Sequence, residues 1–283
     1  MKNPFVTGTV TAAARFATPA WVSLAVGLAM GATTAAANGF PTFPVRRCSA
    51  DAVAAGTVCL DKYEASVWRV PDPTTTNATL VRKIRLGRAT QADVTAGGAT
   101  QLGMEGGTYA PCTDDGQNCA NDIYAVSLPS VLPSAFITWF QAQEACANSG
   151  KRLPTSAEWQ VGANGTPDPG PDDGTTDCNT VAHNSLPTLT GARSRCVSAR
   201  GAFDMVGNLS EWVADWVPAS TDCPGWGGFS DDLMCLAGAS TTSTFPGALA
   251  RGGAFFFGPS AGPLAVEKAP PFFAGAIGFR CAR

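Results

Sequence analysis

This sequence predicts a loop-rich fold of short strands and helices, stapled by disulfides around one core, and three observations point to it. Glycine and proline, 31 and 21 residues, make up close to a fifth of the 283, and long regular elements do not tolerate that share. Ten cysteines, an even number, run from Cys48 to Cys281, the usage of a bridged framework. Apolar residues make up 45% and charged residues only 14%, so the chain buries one sizeable core and is neither a disordered tail nor a multi-span membrane protein.

Residues 1–37 read as a secretory leader. Lys2 and Arg15 supply its positive end, an apolar stretch runs over about residues 20–30, and Ala35-Ala36-Ala37 offers small residues for cleavage after Ala37. The apolar stretch is nearer a dozen residues than the roughly twenty of a spanning helix, so no membrane span is expected after cleavage. Residues 38–283 are then a single exported domain, periplasmic, surface-bound or released. Losing Lys2 and Arg15 takes the basic residues from 19 to 17 against 22 acidic ones, and the formal charge from -3 to -5.

All ten cysteines lie beyond Ala37. Zinc is the competing use, but no Cys-x-x-Cys occurs, and the single histidine, His183, is not flanked by cysteines at ligand spacing. Disulfides are therefore expected. Four pairs of sequence neighbours bracket loops: Cys48 with Cys59, Cys112 with Cys119, Cys178 with Cys196, and Cys223 with Cys235. That leaves Cys146 with Cys281, in one of about 945 pairings that ten cysteines allow.

In chain order, a Pro-rich stretch at residues 40–44 leads to residues 58–68, which alternate apolar and polar side chains and read as a strand. Residues 71–122, rich in Thr, Gly and Ala, are expected to be an irregular insertion; within it 81–86 alternates weakly and 89–95 has room for a helical turn or two. Residues 135–149 place Phe136, Trp139, Phe140, Gln143 and Cys146 on one helical face, with Ser134 as the N-cap and Gly150 as the stop. A second, short helix follows from the capping box of Thr155 and Glu158 and stops near Gly162. Residues 164–200 are rich in Gly, Pro, Asp and Thr, yet too short and too cysteine-stapled for a free linker. Beyond them, apolar clusters at 203–216, 250–257 and 276–281 alternate with turns, and no repeat of fixed period appears.

Composition excludes whole classes of function. No run of Lys or Arg exceeds a pair, so nucleic acid is not an expected partner. One histidine cannot build a site that needs two or three imidazoles.

Four segments in order carry a family resemblance: Leu60-Asp61-Lys62-Tyr63-Glu64; Gly150-Lys151-Arg152-Leu153-Pro154-Thr155-Ser156-Ala157-Glu158-Trp159; Gly201-Ala202-Phe203-Asp204-Met205-Val206-Gly207-Asn208-Leu209-Ser210-Glu211-Trp212; and Arg251-Gly252-Gly253 followed by Gly278-Phe279-Arg280-Cys281. Together they resemble the formylglycine-generating enzyme, or sulfatase-modifying factor, family over roughly residues 48–283. The resemblance implies an α+β domain, a variant of the C-type-lectin-like fold, and it supports Cys146 with Cys281. Read physically, Arg152, Glu158, Glu211, Arg251 and Arg280 are expected to be structural ion pairs rather than catalysts, because buried charges persist mainly as paired, hydrogen-bonded groups. Gly207, Gly252 and Gly253 read as positions of unusual dihedrals or close packing.

Members that make formylglycine hold copper on two cysteine thiolates shortly after the Arg-Gly-Gly, and thiolates are soft ligands that select Cu(I). Counting along the motif puts Phe257 and Gly262 at the two cysteine positions and Ala254 at the position of the active-site serine. No copper is expected. The related sulfoxide synthases use histidine-bound iron, which one histidine cannot hold. Phe255, Phe256 and Phe257, with Pro270-Pro271-Phe272-Phe273 later, either line an apolar groove suited to a peptide or a cell-surface protein, or pack inward as ordinary core. A binding module, a structural or display module, and an enzyme with an unidentified reaction at the same groove all stay open. Structural calcium is the cofactor the resemblance implies, with Asn208 at the matching position and Asn179 a looser match. The acidic loop of Asp168, Asp172, Asp173 and Asp177 lacks the spacing of a calcium loop and reads as a solvated turn.

Overall fold

The computed structural model describes residues 47–104, 109–181, 186–217, 230–232, 247–272 and 275–283. The expected leader, His183, Phe273 and the expected pair Cys223 with Cys235 lie outside the described residues.

The first two strands, β1 (Ala52–Ala55) and β2 (Val58–Asp61), form a tight antiparallel hairpin. The expected single strand over 58–68 is two: after β2 the ladder stops at Lys62-Tyr63-Glu64, and β3 (Ala65–Arg69) joins a different sheet. The break has a local cause. Glu64 turns inward to accept from the Leu209 amide at 3.0 Å, and the Tyr63 amide donates to Ser127 Oγ at 3.1 Å, so neither follows the ladder.

Residues 71–122 are not irregular throughout. They carry α1 (Ala78–Arg85), α2 (Gln91–Ala96) and β4 (Thr100–Leu102). Leu80, Val81 and Ile84 give α1 a buried face at helical spacing, and Thr90 with Asp93 closes a capping box on α2. β3 lies between β4 and β5 (Ile123–Ser127), antiparallel to both.

Helix α3 (Trp139–Asn148) starts later than expected, because Thr138 rather than Ser134 is its cap. Thr138 Oγ1 accepts from the Gln141 amide, and Gln141 Oε1 accepts from the Thr138 amide. The Ser134 hydroxyl is engaged elsewhere, accepting from the Val67 amide at 2.8 Å and donating to the Leu102 carbonyl at 2.5 Å. Phe136 sits at φ +56°, outside any right-handed helix. Helix α4 (Ser156–Ala163) starts at the Thr155 and Glu158 box as expected.

The second half supplies a four-stranded sheet of β6 (Ser210–Val217), β7 (Gly247–Arg251), β8 (Val266–Ala269) and β9 (Ile277–Phe279), in the order β8-β7-β6-β9. Its register sets Glu211 opposite Arg251 and beside Gly278, so three signature segments distant in sequence become neighbours. One core cluster gathers Ile137, Leu153, Trp212 and Phe279; a second gathers Leu60, Trp159, Met205 and Leu249. Disulfides join Cys48 to Cys59, Cys112 to Cys119, Cys178 to Cys196, and Cys146 on α3 to Cys281 beyond β9. No helix among the described residues is long and apolar enough to cross a membrane.

Candidate functional site

The signature charges meet in a buried polar hub. Arg280, fully buried, donates from Nε and Nη2 to the two Glu211 oxygens at 2.7 and 2.6 Å, and also to the backbone carbonyls of Asp61 and Phe203. Glu211 Oε2 accepts the Trp159 indole N–H at 2.7 Å as well. Lys151 bridges Asp51 and Asp61 nearby, and Arg152 grips both oxygens of Glu158 at 2.7 Å on the surface side. These side chains satisfy loop carbonyls and one another and so frame the fold. Arg251 departs from the expected ion pairing. Among the described residues its guanidinium stacks on Trp159, 4.9 Å from the ring centre, and donates to the side chain of Gln160 and the carbonyl of Pro263. Burial pulls its pKa down to about 10.

Glu64 and Asp204 share the hub with Glu211. Burial first, then the neighbouring carboxylates, push Glu64 well above the usual range. Burial also drives Asp204 up to about 7, against the Gly191 amide that it accepts at 2.7 Å. Gly207, at φ +70°, passes so close to the Asn179 carbonyl that a Cβ would stand 2.2 Å from its oxygen. Glycine is required there. The Asn208 side chain then points into the hub. Its Nδ2 donates to Glu64, and its Oδ1 accepts from Asn179 Nδ2, the Thr188 amide and the Thr188 hydroxyl.

A hollow of about 340 Å³ opens beside this frame. Gly252 and Gly253, at φ +85° and +75°, turn the chain out of β7 so that Ala254 is buried and Phe256 and Phe257 form one wall. Pro270 and Ile277 also line it, and Glu267 and Lys268 of β8 and Ser210 of β6 are its polar members. Burial raises the Glu267 pKa, opposed by the neighbouring Ser210 hydroxyl. The three phenylalanines separate by role. Phe256 is 54% exposed, Phe257 also packs against the cluster around Cys178 and Cys196, and Phe255 stands edge-on to Phe256 at 4.9 Å outside the lining. Phe272 is exposed as well. Sequence reading missed Glu267 and Ser210, since nothing local distinguishes a carboxylate or hydroxyl on a strand that faces a hollow.

Gly262 lies outside that lining, with its Cα against the carboxylate of Asp232. The acidic loop is more built than a solvated turn. Asp172 is buried and accepts from the amides of Gly174, Thr180 and Val181, Asp173 caps the amides of residues 175–177, and Asp177 pairs with Arg195. Asp168 leaves that group to meet Asp231 and Asp232, with one carboxylate oxygen of each within 4.8 Å of the others. Such a triad of hard oxygens is able to hold a metal ion.

The frame and the register of its signature segments define a class: a loop-rich α+β domain, disulfide-stapled, of the sulfatase-modifying factor type. The chain matches the sulfatase-modifying factor enzyme 1-like domain over residues 108–283 and belongs to that family. Among curated proteins it is similar to the serine/threonine-protein kinase Pkn1 of Chlamydia trachomatis, 33% identical over 89 residues, which are 30% of this chain and 14% of the kinase. The Chlamydia caviae kinase pkn1 is 30% identical over the same length. The chain therefore spans about a seventh of these relatives. Among solved structures, the Major Tropism Determinant U1 variant is 18% identical over 83% of this chain and 52% of its own, with a TM-score of 0.40. PvdO from Pseudomonas aeruginosa is 19% identical over 80% of both chains, with a TM-score of 0.39.

Proposed function

We propose that this chain is an exported member of the family that binds rather than catalyses, and that its hollow takes an apolar segment of a peptide or of a cell-surface protein. The observation that carries the reading is the wall after Arg251-Gly252-Gly253. Where the resemblance would set one copper thiolate and the active-site serine, this wall has Phe257 and Ala254 instead, with Phe256 more than half exposed beside them. Convergent apolar side chains around a few polar groups are the usual make-up of a ligand pocket. Without thiolates the loop has no soft ligand for Cu(I), and a cysteine in a disulfide is no thiolate.

Export is part of the same proposal. It draws on the leader pattern of residues 1–37 and on the four disulfides. Structural calcium at Asn208 and Asn179 stays a proposal of the resemblance, and it requires Asn208 Oδ1 to exchange its three donors for the ion.

The test is selection of phage-displayed random peptides on the mature domain, followed by fluorescence polarisation of the recovered peptides. Apolar peptides are expected, bound at least tenfold more weakly by Phe256→Ser with an unchanged circular dichroism spectrum. An empty selection, or equal affinity for the variant, overturns the reading.

A further inference from the structure

Asp168 and the pair Asp231 and Asp232 lie more than sixty residues apart in the chain, yet the fold sets one carboxylate oxygen of each within 4.8 Å of the others. Three like charges so close repel, and the one guanidinium found to act on Asp232, that of Arg251, is turned to Gln160 and Pro263.

An independent feature of Asp232 points to a ligand. Asp232 is only 3% exposed, and the backbone holds it on two sides: its amide donates to Ser230 Oγ at 3.0 Å, and its Oδ2 accepts from the Leu264 amide at 2.9 Å. The other oxygen, Oδ1, is buried with no donor in hydrogen-bond geometry among the described residues. Buried carboxylate oxygens are almost always satisfied, so an orphan beside two more carboxylates calls for a cation. Gly262 makes room for this arrangement, since a Cβ there would stand 1.7 Å from Oδ1. Asp168 and Asp231 are exposed, which leaves the outer positions open to water.

We propose that Asp168, Asp231 and Asp232 form a binding site for a calcium ion, separate from the groove and from Asn208. Three carboxylates with open outer positions suit the flexible shell of six to eight oxygens, at about 2.3–2.6 Å, that calcium takes. Three carboxylate oxygens within 4.8 Å of one another fit into such a shell, whereas magnesium demands near-ideal octahedral geometry at about 2.0–2.1 Å and is usually held by only one or two carboxylates.

Isothermal titration of the metal-stripped mature chain with calcium chloride tests the site. The wild type is expected to bind calcium, and Asp168→Asn and Asp231→Asn, both at exposed positions, to bind it at least tenfold more weakly while unfolding at the wild-type temperature without calcium. Three outcomes overturn the site: no calcium binding by the wild type, equal affinity in both variants, or binding that survives in both and is lost in Asn179→Ala, which assigns the ion to Asn208. Binding of magnesium in preference to calcium overturns the choice of ion.

Discussion

Gly262, where the resemblance would set a cysteine, stands against a carboxylate instead. A side chain here would occupy the place of the Asp232 carboxylate, so a cysteine does not fit at this position without moving Asp232. Gly262→Ala is therefore expected to lower stability by roughly 1–3 kcal/mol through overpacking, measured by urea unfolding with disulfides intact. An unchanged midpoint would mean that Asp232 does not sit against Gly262. Little of this was legible beforehand. Counting along Arg251-Gly252-Gly253 marks Gly262 as a position of interest, but its partner lies thirty residues earlier in a different loop, and only the fold joins them. That Arg152, Glu158, Glu211 and Arg280 form ion pairs was easier to read, because buried charges persist mainly as paired groups, but which pairs with which is set by the fold. Arg251 was harder to read: Asp232 and Asp215 act on it through space, but among the described residues its guanidinium stacks on Trp159 and donates to Gln160 and Pro263.

At the scale of elements, local chemistry predicted what it alone decides. The Thr155 and Glu158 box starts α4 because its two hydrogen bonds are made within four residues. For α3 the expected cap, Ser134, is claimed by tertiary bonds to Val67 and Leu102, and Thr138, four residues on, caps the helix instead. Thr138→Ala is accordingly expected to cost about 1 kcal/mol, the usual loss for an N-cap, measured by chemical denaturation. A variant as stable as the wild type would remove Thr138 from the cap. The helix α1 was missed because its apolar residues, Leu80, Val81 and Ile84, are few and embedded in a Thr-rich and Arg-rich stretch. Its packing against the β-sheet side chains Tyr124 and Val126 settles the conformation.

Across the whole molecule, the buried hub sets a pH dependence. Asp204 at about 7 and Glu64 well above its usual value both bind protons more tightly in the folded state than in the unfolded chain. Folding therefore takes up protons between about pH 4 and 7, and stability is expected to fall as pH rises through that window. For Asp204 alone the shift corresponds to up to roughly 4 kcal/mol, at about 1.4 kcal/mol per pKa unit. Asp204→Asn keeps an acceptor for the Gly191 amide and suits the left-handed φ of +56°. It is expected to flatten the fall in unfolding free energy between pH 5 and 7; an identical slope in variant and wild type would contradict the assignment.

The central claim is that this family member binds without carrying out the copper-dependent oxidation of cysteine. A peptide bearing a sulfatase cysteine motif, incubated with the mature protein, copper and oxygen and then weighed by mass spectrometry, tests it most directly. Unmodified cysteine is predicted, since Phe257 and Gly262 offer no thiolate and the cysteines found among the described residues are all in disulfides. A copper-dependent loss of mass at that cysteine would contradict it.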